Sequence, residues 1–144
     1  MKIELSYDPE LKLLKVPVTI KTPHKRSFST FIFDTGSPNT LLNYTVSRVL
    51  EIPFNEESGI IKIGGSKYKA YKFDNIEFVF KSIDNQGIIE KFPVKVLRPS
   101  SIKSNELSET DRFPNILGID FLELGWKFFC DLKTKEIYFE KEED

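Results

Sequence analysis

Few side chains in this sequence could do covalent or metal chemistry, and the scarce ones narrow the choice. There is one His (His24), one Cys (Cys130) and one Met, the first residue. A single Cys cannot build an internal disulfide framework. One His and one Cys cannot make a zinc centre of the usual His/Cys kind, so no metal or cofactor is expected. A single His also leaves little room for Ser-His-Asp or Cys-His machinery. Cys130 ends the apolar run Trp126-Lys127-Phe128-Phe129-Cys130, where a buried structural thiol is expected rather than a nucleophile. Carboxylates are the abundant reactive groups, 22 Asp and Glu in all. One of them stands apart. In Phe31-Ile32-Phe33-Asp34-Thr35-Gly36-Ser37 an apolar strand delivers an Asp into a glycine turn. A carboxylate buried beside Phe and Ile is costly unless its charge is satisfied or its pKa moves. Gly36 lets backbone amides come close, and Thr35 and Ser37 offer hydroxyls. The position suits a tuned acid–base, and equally an ordinary strand-ending turn. A second segment, Asn115-Ile116-Leu117-Gly118-Ile119-Asp120-Phe121-Leu122, taken alone reads as a core strand leading into a helix cap.

The elements that must position these residues are mostly strands. Residues 11–20 are rich in β-branched and aliphatic side chains, and Pro17 within them predicts an edge strand or a break. A turn at 22–25 precedes a strand at 27–34, whose second half is apolar on both faces as in a core. Residues 45–51 are the best short helix, with Val46, Val49 and Leu50 on one face and Pro53 after it. Residues 60–73 carry two β-rich runs around Gly64-Gly65-Ser66, a hairpin signal. Further strands are expected at 75–81 and 87–97. Residues 99–112 are polar, Ser-rich and aperiodic, a surface loop or insertion. An apolar run at 113–117 is followed by one or two helical turns at 119–124, stopped by Gly125. A closing hairpin joins 126–131 to 136–140.

Composition excludes several classes. The chain has 144 residues, 40% hydrophobic and 30% charged, as for a globular protein of one domain. Net charge is −1 and the pI about 5.9, without the clustered basic excess of a nucleic-acid or membrane footprint. The lysines are interleaved with apolar residues and read as solvated strand faces. No apolar run is long enough for a transmembrane helix, and residues 1–10 are too polar for a signal peptide. A reducing, cytoplasmic setting is expected. Asn43-Tyr44-Thr45 matches a glycosylation sequon by chance in such a setting.

Taken together, Phe33-Asp34-Thr35-Gly36-Ser37 and the later Ile116-Leu117-Gly118 resemble the retropepsin-like aspartic peptidases. These include the retroviral proteases and the related domain of the DNA-damage-inducible Ddi proteins. Residues 116–121 followed by Cys130-Asp131-Leu132 are especially close to the Ddi-type pattern. The resemblance spans about residues 11–140, within a single domain of 1–144 that carries a loop insertion at 99–112. It implies an all-β fold, a closed acid-protease-like barrel with one or two short helices, assembled as a two-fold homodimer. It implies that Asp34 is the catalytic aspartate and that Thr35 locks two active-site loops together across a dimer axis. The Gly36 amide and the Ser37 hydroxyl would hold the carboxylate. Ile63, Gly64, Gly65 and Ser66 would form a flap over substrate. Phe113, Pro114 and Ile116 would line apolar subsites, with Leu117 and Gly118 supporting the loop from behind. Asp120 would cap the following helix. Pro38 departs from the family's usual loop, and residues 1–10 have no counterpart.

The implied reaction needs two carboxylates sharing one proton: one acts on a water as base, the other donates to the peptide carbonyl. No other Asp in the chain is followed by Thr-Gly. An aspartic endopeptidase built on this chain must therefore be a homodimer with a polypeptide substrate, and an acid-leaning pH optimum is expected. Two other readings stay open. One is a catalytically weak or inactive retropepsin-like module for dimerisation or peptide binding. The other is an unrelated β-barrel that binds nucleic acid, against which the acidic pI counts.

Overall fold

The structure, a computed structural model, describes residues 1–63, 65–100 and 114–143. Among these residues the chain is mostly β. In chain order it forms β1 (Lys2–Glu4), β2 (Ser6–Asp8), β3 (Leu13–Lys21), β4 (Arg26–Phe33), β5 (Leu41–Leu42), α1 (Tyr44–Val49), β6 (Glu56–Ile63), β7 (Ser66–Phe73), β8 (Glu77–Lys81), β9 (Gly87–Lys91), β10 (Val94–Pro99) and β11 (Asn115–Leu117). A 3-10 helix, η1 (Ile119–Leu124), then leads to β12 (Lys127–Asp131) and β13 (Glu136–Glu140).

Two sheets result. The small one is β1-β13-β12. The large one runs β6-β7-β10-β5-β11-β4-β3-β8-β9, with β2 added beside β3. Among the described residues no pairing joins β6 to β9, so no closed barrel of the expected kind is detected and the strand path has two ends. No helix among the described residues is long and apolar enough to cross a membrane.

The core follows from alternation. On β3, Val16, Val18 and Ile20 are buried while Pro17 between them is exposed. On β4, Phe31 and Phe33 are buried. Phe31 meets Phe78 edge-on at 5.7 Å, and Phe33 meets Phe139 and Phe128 at 4.9 and 4.8 Å, tying the large sheet to the small one. Phe121 of η1 sits fully buried between Trp126, Phe139 and Phe80. Each such ring contributes on the order of 2–3 kcal/mol of burial. Gly125, at φ 99°, ends η1 in the left-handed region.

Several elements depart from expectation for physical reasons. β3 is neither broken nor an edge strand. It pairs β4 over 15–21, and on its other side β2 pairs 13–15 while β8 pairs 19–21. Pro17 falls in the window between β2 and β8, where a missing N–H costs nothing. The expected strand 87–97 is two strands, because Pro93 interrupts it: β9 pairs β8, whereas β10 crosses to β7 and β5. Residues 1–10, which lacked any counterpart, supply β1 and β2. In α1 the expected apolar face is only partly used: Val49 is 55% exposed, while Ser47 and the following Leu50 are buried. Asn43 is the helix N-cap, its side chain accepting from Val46 N at 2.8 Å, which gives the sequon Asn a structural role. Cys130, expected to be buried, is exposed: it shares its face of β12 with Phe128 and stands opposite the buried Ile137, but β12 is an end strand of the small sheet and leaves it uncovered. Apart from Pro99, which ends β10, and Ser100, the expected insertion 99–112 lies outside the described residues.

Candidate active site

Asp34 follows directly on β4, and the strand that holds it comes from far along the chain. β11 lies between β4 and β5, parallel to the first and antiparallel to the second. Its register sets Asn115, Ile116 and Leu117 beside Phe31, Ile32 and Phe33. The ladder extends one step further, with Asp34 N donating to the Leu117 carbonyl at 3.0 Å. Beyond that bond the chain turns. Gly36 N donates to Asp34 Oδ1 at 2.8 Å, and Ser37 N donates to the Asp34 backbone carbonyl at 3.1 Å. A Cβ on Gly36 would stand 3.1 Å from Asp34 Oδ1, so glycine there leaves room for the carboxylate. Asp34, Thr35 and Gly36 are exposed in the single chain, so the apolar strand delivers the carboxylate to the surface instead of burying it.

The loop is clamped from behind by Thr40, which the sequence did not single out, together with Asp120 and Gly118. Thr40 is fully buried; its hydroxyl donates to Asp120 Oδ1 at 2.8 Å and accepts from Gly118 N at 3.1 Å. Thr40 N donates to Asp120 Oδ2 at 2.9 Å. Asp120 thus bridges the Asp34 loop to η1; it is not the expected cap, a place taken by Gly118 with no side-chain bond. Burial pushes the Asp120 carboxyl above the ordinary carboxylate range, with Thr40's two donors and the Phe121 amide opposing and Glu123 adding to the rise. Ile119 N donates to the Ser37 carbonyl at 2.8 Å. Gly118 packs against the loop itself: a Cβ would overlap the Asn39 carbonyl and stand 2.8 Å from the Ser37 carbonyl oxygen. Asn115 is the second unforeseen positioning residue. Its Oδ1 accepts from Asn43 N at 2.8 Å and its Nδ2 donates to Ser29 Oγ at 2.7 Å, fixing β11 to α1 and β4. Buried polar residues flanking a turn signal are the only hint that could have found them.

Ser37 differs from what the resemblance implies. Its Oγ donates to the Asn39 carbonyl at 2.7 Å, and not to the carboxylate. Ile63 and Ile116 are brought together, both packing on a small buried cluster of Leu41, Tyr68, Ala70 and Leu97. Pro114 is half-buried, and Gly65 and Ser66 are exposed at the turn of the β6–β7 hairpin. Gly64 and Phe113 lie outside the described residues. Among the described residues no group of three or more His, Cys, Asp or Glu is placed to hold a metal ion.

One carboxylate with one amide donor can act as a base or as an acid, but cannot do both in the same step. A site in which two carboxylates share one proton would need a second carboxylate beside it.

No protein-family model and no curated protein matches the chain. Solved structures do. The chain is similar to a retropepsin-like aspartic protease from Rickettsia conorii at 14% identity and a TM-score of 0.60, covering 96% of this chain and 89% of that one. It is also similar to the EIAV protease complexed with the inhibitor HBY-793, at 20% identity and a TM-score of 0.52, covering 87% of this chain and 99% of that one. The chain therefore has a retropepsin-like fold, and these structural neighbours are aspartic proteases.

Proposed function

We propose that this chain, as one domain over 1–144, is an aspartic endopeptidase that works as a two-fold homodimer in a reducing, cytoplasmic setting. The observation that carries the reading is the Asp34 turn: an exposed carboxylate, held by the Gly36 amide and anchored through Leu117, on a retropepsin-like fold. Two copies facing each other across a two-fold axis would bring two Asp34 carboxylates to one water. One carboxylate takes a proton from the water as it attacks the scissile carbonyl. The other, protonated, donates to the carbonyl oxygen, giving a neutral tetrahedral intermediate. Thr35, exposed beside the axis, would bond the partner's loop. The hairpin turn at 63–66 would close over the peptide, and Phe113, Pro114 and Ile116 would line its subsites.

Asp34→Asn is expected to abolish cleavage of an unstructured protein while leaving the fold and dimer intact, read by peptide analysis and light scattering. Retained cleavage in that variant, or activity from a strictly monomeric protein, refutes the proposal. Ser37 favours a second reading. With its hydroxyl turned to Asn39, the carboxylate lacks one support that the resemblance implies, as in a dimerisation or peptide-binding module with weak catalysis. The same experiment separates the two, since such a module has little or no cleavage for Asp34→Asn to abolish.

A further inference from the structure

Four cations that the proposed chemistry does not use share one face of the hairpin sheet. Residues directly opposite in antiparallel strands point to the same side, as do residues two apart on one strand. Register sets Lys62 opposite Lys67, and Lys69 opposite Arg98. Lys67 and Lys69 are two apart on β7, so all four side chains face one way, and all four residues are exposed. The other face of these strands carries Tyr68, Ala70 and Leu97, which pack with Ile61, Ile63 and Ile116. The cations therefore lie on the side away from Ile116.

Like charges directly opposite each other destabilise a sheet, and here two such pairs adjoin. Among the described residues none of the four makes an ion pair. Glu57, opposite Tyr71, is an acid that shares this face, one against four cations. The Arg98 guanidinium stands 5.8 Å from the Phe54 ring centre. Lys69, Tyr71, Arg98, Pro99 and Ser100 line a concavity of about 330 Å³. Two cations at a polar concavity, with a hydroxyl beside them, suit a carboxylate.

We propose that this face docks an acidic, extended segment of another polypeptide. Extended chains place alternate side chains about 7 Å apart on one side, the same repeat as Lys67 and Lys69. Acidic residues at alternate positions would meet the cations in turn, one of them forked by Arg98 over the concavity. Among the described residues β6 ends the strand path and no strand pairs its outer edge. A single-stranded nucleic acid fits less well. It is held by exposed rings on which bases stack, whereas Tyr71 is buried and Phe54 is half-buried beside Arg98. The inference is independent of any chemistry at Asp34.

The test is fluorescence polarisation of a labelled Glu-Ser repeat peptide with the full chain. Lys69→Gln with Arg98→Gln is expected to weaken binding about tenfold. Lys62→Gln with Lys67→Gln should weaken it less, in the same direction. Lys81→Gln with Lys133→Gln, equally exposed but elsewhere, should change it less than about twofold, and added salt should weaken binding throughout. A Gln-Ser repeat should not bind. Equal weakening by the Lys81/Lys133 pair, equal binding of the Gln-Ser repeat, or tighter binding of an oligothymidylate of the same charge would each overturn the proposal.

Discussion

The loop that carries Asp34 and the β6–β7 hairpin are both glycine-containing turns between strands, yet they are built in opposite ways. Around Asp34 the loop is tied at several points: Leu117, Gly36, Thr40 and Asp120 each hold one part of it, and Gly118 has no room for a methyl group. At the hairpin most of β6 is exposed, the turn residues Gly65 and Ser66 are exposed, and among the described residues Ile61, Ile63, Tyr68 and Ala70 anchor it to a small cluster. Regions with few buried contacts open at low free-energy cost, and densely bonded ones do not. The contrast suits the proposed function, which needs a carboxylate that stays still and a hairpin that moves over it.

Placing the same methyl group in both turns tests this directly. Gly118→Ala should cost about 1–3 kcal/mol in urea unfolding. By displacing the Asp34 loop it should also lower peptide cleavage about a hundredfold. An unchanged midpoint would show that the loop yields. Thr40→Val keeps the shape but strips the hydroxyl from Gly118 N and Asp120; a loss of about 1–2 kcal/mol is expected by the same measurement. Gly65→Ala meets nothing within 4 Å and suffers only from its φ of 83°, so about 1 kcal/mol and little loss of cleavage are expected. A larger penalty than at Gly118 would reverse the comparison.

The smallest effect is in pH dependence. Because the Asp120 carboxyl is raised by burial in the folded protein, the folded state binds its proton more tightly than the unfolded chain does. Its contribution to stability is present below the ordinary carboxylate value and is lost as pH rises through the raised one. The stability of the native protein relative to Asp120→Asn should therefore fall slightly from acid to neutral pH. Asp8 and Asp131 act oppositely. Asp8 is held low mainly by the Leu11 amide and by Lys15, and Asp131 by the Thr134 and Lys133 amides. Urea unfolding of the two proteins across that range checks the sign.

What could be read from sequence was local and periodic. The apolar strand running into Asp34-Thr35-Gly36, the hairpin around 64–65, the turns of η1 ended by Gly125 and the closing hairpin of β12 and β13 all have signals within a few residues. What escaped depends on partners far apart in the chain. Thr40 is unremarkable, and Asp120 reads only as a helix cap, until the fold brings them together. Pro17 suggested an edge only because the gap between β2 and β8 is invisible in sequence. Cys130 looked buried because its neighbours are apolar, and nothing local shows that β12 is an end strand of the small sheet. The cations of β6, β7 and β10 were read singly as solvated, and only the register sets Lys69 against Arg98.

The insertion of β11 between β4 and β5 also sets an order of events. Two strands joined by a short loop leave a slot that only a segment roughly eighty residues later can fill, a contact of high sequence separation and so a slow one to form. On the ribosome, the Asp34 loop is made early and stays unsupported until residue 117 has emerged. The carboxylate then acquires its anchor at Leu117, its clamp at Thr40 and Asp120, and its packing against Gly118 in one step. A nascent or truncated chain without β11 holds the Asp-Thr-Gly sequence but not the shape, so any activity switches on with the completion of folding.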